Sequence, residues 1–111
     1  MATYTEKCLV ESTQLGTAAG TLYMTPDATT TIMGEVQIAN SNATQATVTV
    51  YLVASGGTAG PTNVMMPAVP IPPNSVIKYT SKQVLMIGDS IAALASNASG
   101  VIIRISGVEK T

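Results

Sequence analysis

The sequence predicts an all-β protein with a single antiparallel β-sandwich or jelly-roll-like domain and an N-terminal arm or edge strand. Short segments rich in Val, Ile and Thr alternate between apolar and polar residues, which is the period of a half-buried strand. Turn-forming residues separate these segments roughly every ten residues, a spacing typical of sandwiches and barrels. We therefore divide the chain into residues 1–19, the arm or edge strand, and residues 20–111, the sandwich.

The N-terminal segment leaves two alternatives open. Residues 1–19 show weak periodicity and end in small, flexible residues between Gly16 and Gly20. They could extend as an arm and add a strand to the sheet edge of a neighbour. They could equally form an edge strand of the chain's own sandwich.

The clearest strand signals lie in the middle of the chain. Residues 46–53 alternate strictly, and residues 31–39 place apolar residues on one face with polar residues opposite. The inner-face residues are predicted to be Ile32, Val36 and Ile38 in the first segment and Val48, Val50 and Leu52 in the second. Because only the polar residues 40–44 separate the two segments, we predict that they form a hairpin.

Loop and edge signals dominate the following part. Residues 56–61 are rich in Gly and end the preceding strand, and four prolines between residues 67 and 73 remove backbone donors. We therefore predict an extended edge segment here. Residues 75–80 form a further predicted strand, and residues 84–95 two short pieces joined by a tight turn at residues 88–90. Residues 91–95 have helical propensity but are too few for an independent helix.

The last predicted strand, residues 101–108, points Val101, Ile103 and Ile105 inward and leaves Ile102 and Arg104 on its outer face. An apolar side chain beside an arginine on an outer face suggests a contact with a partner. The complete set of predicted partner contacts is Tyr4, Leu9, Val10, Ile102 and Arg104.

The composition suggests a surface that other proteins cover. Charged residues make up 10% of the chain, where about 25% is usual. Thr, Ser, Asn and Ala take their place, and these residues can be buried in an interface without leaving unpaired charges. A domain of this size also has only a modest core of its own. The alternative is a monomer with an uncharged, Thr-rich surface.

Several classes of partner and compartment are disfavoured. The five basic residues are scattered and the chain has neither Trp nor Phe, so we expect no nucleic-acid binding. No apolar run suits a membrane span or a secretion signal, so we expect synthesis in a cytoplasm and no membrane partner. The single cysteine, Cys8, excludes an intrachain disulfide framework.

Residues 88–90 are the one motif that resembles a catalytic site, because a strand running into Gly-Asp-Ser presents the nucleophile in some esterases. Such a serine needs a general base, usually histidine, and the chain contains no histidine. We therefore assign Ser90 to a turn and expect no enzyme activity. No residue spacing suits a metal site, and no motif suits a cofactor, so we expect neither.

Three segments, residues 20–26, 51–59 and 104–109, resemble small virion proteins of tailed bacteriophages. The resemblance covers about residues 20–109. It also includes the Asn-rich turn, the apolar-Pro segment and the Gly-Asp turn in the same order. It implies a β-sandwich that serves as a particle component, made in the cytoplasm of a bacterial host and located in the virion.

The function that we predict is a homo-oligomeric capsid decoration (cement) protein, a trimer or another symmetric oligomer, which contacts copies of itself and the major capsid protein. A tail adaptor, tail fibre or head-fibre module, with tail proteins as partners, is the alternative. A receptor- or carbohydrate-binding module would need exposed aromatic residues, for which the candidates are Tyr4, Tyr23, Tyr51 and Tyr79.

Overall fold

The computed structural model describes residues 3–80, 82–97 and 99–111. In this part of the chain every regular element is a strand, and the strands form two antiparallel sheets. The strands are β1 (Tyr4–Gln14), β2 (Gly20–Met24), β3 (Thr30–Asn40), β4 (Ala46–Val53), β5 (Val64–Ile71), β6 (Ser75–Thr80), β7 (Val84–Leu85), β8 (Ser90–Ala95) and β9 (Val101–Lys110). The predicted all-β sandwich is confirmed.

Within the described residues the two sheets differ in size: one has five strands and is called the long sheet, and the other has four and is called the short sheet. The long sheet has the order β1-β9-β3-β6, with β7 pairing with β3 beyond the end of β6, and the short sheet has the order β2-β8-β4-β5. Most pairs of hydrogen-bonded strands are therefore distant in sequence, as β1 and β9 are. Because these strands pair only after the intervening chain has folded back, the fold depends on long-range contacts.

The core lies between the sheets and follows the predicted alternation. Ile103 and Ile105 of the long sheet and Val48 and Val50 of the short sheet are all fully buried. Leu52, predicted to belong to this set, is partly buried and packs against the core. The inward alternation of residues 101–105 is confirmed, and Ile102 and Arg104 point away from the core.

The predicted hairpin between residues 31–39 and 46–53 is wrong. β3 pairs with β6, β7 and β9 in the long sheet, whereas β4 pairs with β5 and β8 in the short sheet. The polar residues between them carry the chain from one sheet to the other. Asn40 supports this crossing, since its buried amide donates to the carbonyl oxygens of Thr44 (3.0 Å) and Ile71 (3.1 Å).

The inward position predicted for Ile32 is also wrong, because a β-bulge interrupts β3. The register with β9 shifts between Met33 and Val36, so the side chains on the two sides of the bulge alternate in opposite phase. Met33 is therefore fully buried and Ile32 faces outward. The bulge lies beside Gly107, where an added Cβ would collide with the Ile32 carbonyl oxygen and would lie 2.8 Å from Cδ1 of Leu9.

Three sequence signals in the second half of the chain correspond to specific places in the fold. The proline-containing β5 is an edge strand, as predicted, and proline is tolerated there because an edge strand makes ladder hydrogen bonds on one side only. Residues 91–95 belong to strand β8 and not to a helical turn. Gly88 has a φ of +81° and lies in the predicted tight turn, although β7 and β8 on its two sides belong to different sheets.

The N-terminal segment is an edge strand of the long sheet. β1 pairs with β9 from Tyr4 to Gln14, with two register shifts around Val10. At the first shift two consecutive residues, Leu9 and Val10, both turn into the core. The segment thus contributes to this chain's own sandwich.

Candidate interaction surface

The serine motif at residues 88–90 serves the turn that precedes β8. The Asp89 carboxylate accepts hydrogen bonds from the backbone N–H groups of Met86 (3.0 Å) and Ser55 (3.1 Å), which ties this turn to the loop after β4. Ser90 is buried at the start of β8. Among the described residues, no group of three His, Cys, Asp or Glu side chains could hold a metal ion, and no helix has the length and apolarity that crossing a membrane requires.

Two of the predicted partner contacts are not available at the surface. Leu9 is 7% exposed and Val10 is 3% exposed, and both belong to the hydrophobic core. The sequence suggested a contact role because an isolated edge segment has no core of its own. In the folded chain the bulge in β1 turns both side chains toward the core of the chain's own sandwich.

The other three predicted contacts lie on exposed parts of the long sheet. Ile102 is half-buried and Arg104 is exposed on the outer face of β9. Tyr4 is 64% exposed at the start of β1, and its ring lies 5.9 Å from Nζ of Lys110, the residue paired with it on β9. These residues lie on the face of the long sheet that points away from the core, which we call the outer face.

The outer face consists of rows that run across the strands. The Ile32 row joins Ile32 to Val84 on one side and Val108 on the other. Beyond the bulge, the Glu35 row contains Glu35 and its partner Thr80.

Two further rows follow along the strands. The Arg104 row joins Arg104, Gln37 and Lys78. The Ile102 row joins Ile102, Ala39 and Val76. Across β3, β6, β7 and β9 these four rows therefore have an apolar row at each end and charged rows between them. On β1, Glu6 pairs with Val108 of the Ile32 row, and the pair Tyr4 and Lys110 lies beyond that row.

The charges of the middle rows form no ion pair with any other residue that the structure describes. Among the described residues the structure has one ion pair, between Lys7 and Glu109 at 3.3 Å, and it lies outside these rows. Glu35, Lys78 and Arg104 are all exposed. On β3, β6 and β9 the acidic Glu35 and the basic Lys78 and Arg104 thus occupy adjacent rows and remain available to another molecule. The edge strand β1 adds the exposed Glu6 beside the Ile32 row and Glu11 alongside Arg104.

The outer side of the short sheet is different, because the chain covers part of it. Residues 57–59 of the loop after β4 lie over this side together with residues 19–21. Beneath them Val53, Ser90 and Ala92 are buried although they point away from the core. The long sheet therefore carries the larger open face.

Sequence reasoning missed several exposed apolar residues. Val76 (48% exposed) and Val84 (55%) lie at the edge of the outer face, and their isolated positions in short strands gave no sign of which face they occupy. Met24, Met86 and Ile87 are also exposed. Met24 precedes Thr25, whose backbone hydrogen-bonds to Gly88 and Asp89 in the turn that contains Met86 and Ile87.

A polar cluster joins the two sheets at one end of the sandwich. Tyr23 of β2 donates its hydroxyl proton to Oε2 of Glu109 (2.5 Å), which leaves the Thr31 hydroxyl, 2.7 Å away, to donate to Tyr23. Burial of the phenol, reinforced by the Glu109 carboxylate, raises the pKa of Tyr23 to about 12. Lys7 pairs with the same carboxylate. The cluster is an internal brace and offers no free group to a ligand.

No family model matches the sequence, and no curated protein matches it either. Solved structures with a similar fold do exist. A protein of the disulfide-linked pili called Bacillus endospore appendages aligns with a TM-score of 0.58 and 12% identity, over 99% of this chain and 88% of that one.

The VP2 protein of infectious bursal disease virus in T=1 particles aligns with a TM-score of 0.56 and 13% identity, over 98% of this chain. The Gx strain of the same virus gives a TM-score of 0.53 and 16% identity. The chain spans 31% of each of these viral chains. At such low identity the likeness shows a shared fold: this chain has the β-sandwich that is also present in a pilus protein and in a virus particle protein.

Proposed function

We propose that this chain is a structural subunit that assembles with copies of itself and performs no catalysis. The observation that carries the proposal is the open outer face of the long sheet, where apolar rows lie on either side of charges that form no ion pair with the other described residues. A face of this kind exposes apolar surface that a partner would cover. The low charge content of the whole chain, 10%, supports the same function.

The structural neighbours support a role in assembly. The pilus protein and the viral VP2 protein both belong to large assemblies of repeated subunits. A fold does not determine a function, but two unrelated uses of this sandwich as a repeated subunit favour the same use here. The location that we propose is therefore a virus particle or a comparable external assembly.

Within this class, we place the chain on the capsid of a tailed bacteriophage as a decoration protein. The resemblance of residues 20–26, 51–59 and 104–109 to small phage virion proteins supports this assignment. The major capsid protein would be its second partner. A tail adaptor or fibre module is the alternative, with the same fold and a different attachment point.

A covalent assembly like that of the disulfide-linked pili would be restricted in this chain. Cys8 is the single cysteine and is a free thiol. One thiol forms one disulfide, so Cys8 can link two copies but cannot extend a chain of copies. Larger assemblies of this chain would therefore depend on noncovalent contacts.

A carbohydrate-binding module receives little support from the tyrosines. Tyr23 is buried, and Tyr51 is half-buried. Tyr4 and Tyr79 are exposed but lie on β1 and β6, at opposite edges of the long sheet. The described tyrosines therefore form no shared aromatic platform for a sugar ring.

The proposed location is tested by mixing the purified, gold-labelled chain with empty heads and with tails of the phage that encodes it. Electron microscopy should show regular labelling over the head surface. Labelling confined to the tail would replace the decoration assignment by the tail alternative. Absence of label from both, with the native protein also missing from purified particles, would contradict a virion role.

A further inference from the structure

We infer that the outer face of the long sheet is a self-complementary surface on which two copies of this chain pack face to face about a two-fold axis. The inference depends on the order of the rows along the strands, which the strand register provides. It adds to the proposed function a specific contact between copies, and the two can fail separately.

A two-fold rotation brings the apolar rows of one copy opposite the apolar rows of the second copy. In a symmetric dimer the same patch is used by both copies. The axis runs parallel to the two packed faces, perpendicular to the strands, and passes between the Glu35 and Arg104 rows. Rotation about it brings each row of one copy opposite the row of the second copy that lies at the same distance from the axis on its other side. The Ile32 row then lies opposite the Ile102 row of the second copy. Ile32 meets Ala39, Val108 meets Ile102, and Val84 meets Val76.

The charged rows match in the same arrangement. The Glu35 row of one copy lies opposite the Arg104 row of the other, so Glu35 approaches the basic side chains of Arg104 and Lys78. Symmetry repeats each contact, and the interface gains two sets of opposite charges from three residues. The same arrangement keeps Arg104 away from its own symmetry mate, which would otherwise repel it.

The size of the face suits a specific dimer of modest strength. Four strands about 4.8 Å apart and about ten residues long, at about 3.3 Å per residue, give a face of roughly 600 Å². Two copies would bury roughly 1,200 Å² in total, the lower end of the range for specific interfaces. Two sheets with the same twist stack with their strands nearly aligned, so the copies can follow each other's surface over several strands.

The experiment measures dimerisation by sedimentation equilibrium in four variants and the wild type. Arg104→Glu and Glu35→Arg each place like charges opposite each other and should weaken the dimer at least about tenfold. The double variant Arg104→Glu with Glu35→Arg restores opposite charges across the axis and should return the dissociation constant to within about threefold of wild type. Asp27→Arg reverses an acidic charge as Glu35→Arg does, at an exposed position in the turn between β2 and β3 and outside the four rows, and should leave the dimer unchanged.

Every changed side chain is exposed, so we expect all variants to fold. Thermal melts check this expectation. A monomeric wild type at every concentration overturns the inference, and so does a single variant that dimerises normally or a double variant that stays monomeric. Particle labelling is a separate readout: heads decorated by a chain that is monomeric in solution would refute the dimer and retain the proposed location on the virus particle.

Discussion

At the scale of single residues, the fold depends on a few positions where the residue type permits a close approach of strands or makes a specific hydrogen bond. Gly107 permits β3 and β9 to approach beside the bulge. Asn40 satisfies carbonyl groups where the chain crosses between the sheets. Tyr23 links β2 to Thr31 and Glu109 of the long sheet. Each of these residues provides backbone space or hydrogen bonds that apolar packing does not provide.

Replacing Tyr23 by Phe tests the brace between the sheets. The change removes a hydrogen bond to a carboxylate in a largely buried place, so we expect the free energy of unfolding to fall by about 1.5–3 kcal/mol at neutral pH. Chemical denaturation measures this difference. Tyr4→Phe, a change at a position that is 64% exposed, is the matched control and should have little effect.

The same pair of proteins should differ in pH dependence. The pKa of Tyr23 rises from 10.0 to about 12 on folding, so the folded state holds this proton more tightly than the unfolded state. The resulting stabilisation is complete below pH 10 and is lost as the pH rises from 10 to about 12. The stability difference between wild type and Tyr23→Phe should therefore shrink over this interval. A difference that stays constant would show that the phenol is not held as described.

At the scale of elements, local patterns in the sequence predicted strands well and their partners poorly. The strand at residues 46–53 has the predicted bounds, because its alternation is strict and Gly-rich residues follow it. The hairpin failed because sequence proximity favours pairing, whereas the polar residues 41–45 span the gap between sheets. Ile32 failed because a bulge shifts the alternation by one residue, and alternation alone does not reveal a bulge.

The candidate surface could be predicted only in part for the same reason. The outward position of Ile102 and Arg104 was predicted correctly because β9 alternates regularly through them, and their contact with a partner stays a prediction. Leu9 and Val10 were assigned to the surface because β1 has two register shifts that the sequence does not show. The rows across the outer face depend on which strands are neighbours, so no inspection of single segments could place Val76 beside Ala39.

The N-terminal strand supplies a prediction at this scale. Removing residues 2–13 deletes Leu9 and Val10 from the core and uncovers one edge of β9. Burial of these two side chains stabilises the fold by about 3–6 kcal/mol, a large share of the roughly 5–15 kcal/mol that a domain has. We expect the truncated chain to melt far below wild type or to be molten.

A shorter truncation is the control for this experiment. Removing residues 2–7 keeps Leu9 and Val10 and deletes only exposed positions from the described part of the segment, so the melt should remain cooperative and fall by less. Circular dichroism against temperature compares the two. Equal melting of the longer truncation and wild type would show that β1 is a detachable arm.

At the scale of the whole molecule, one sheet face is partly covered by the chain's own loop and the other is open. The covered side lies under residues 57–59, and the open side carries the four rows of the outer face. A sandwich with one open face of apolar rows and unpaired charges is suited to stack against another sheet. The proposed assembly with copies of itself accounts together for the chain's low charge, its fold and its open face.

The most direct test of this account is native mass spectrometry of the purified wild-type chain over a series of increasing concentrations. Self-association predicts defined oligomers with even numbers of subunits, which become more abundant as the concentration rises. Negative-stain images of the concentrated sample should show particles of uniform shape. A single monomeric species at every concentration, with no ordered particles in the images, would contradict the claim that this protein is a self-assembling subunit.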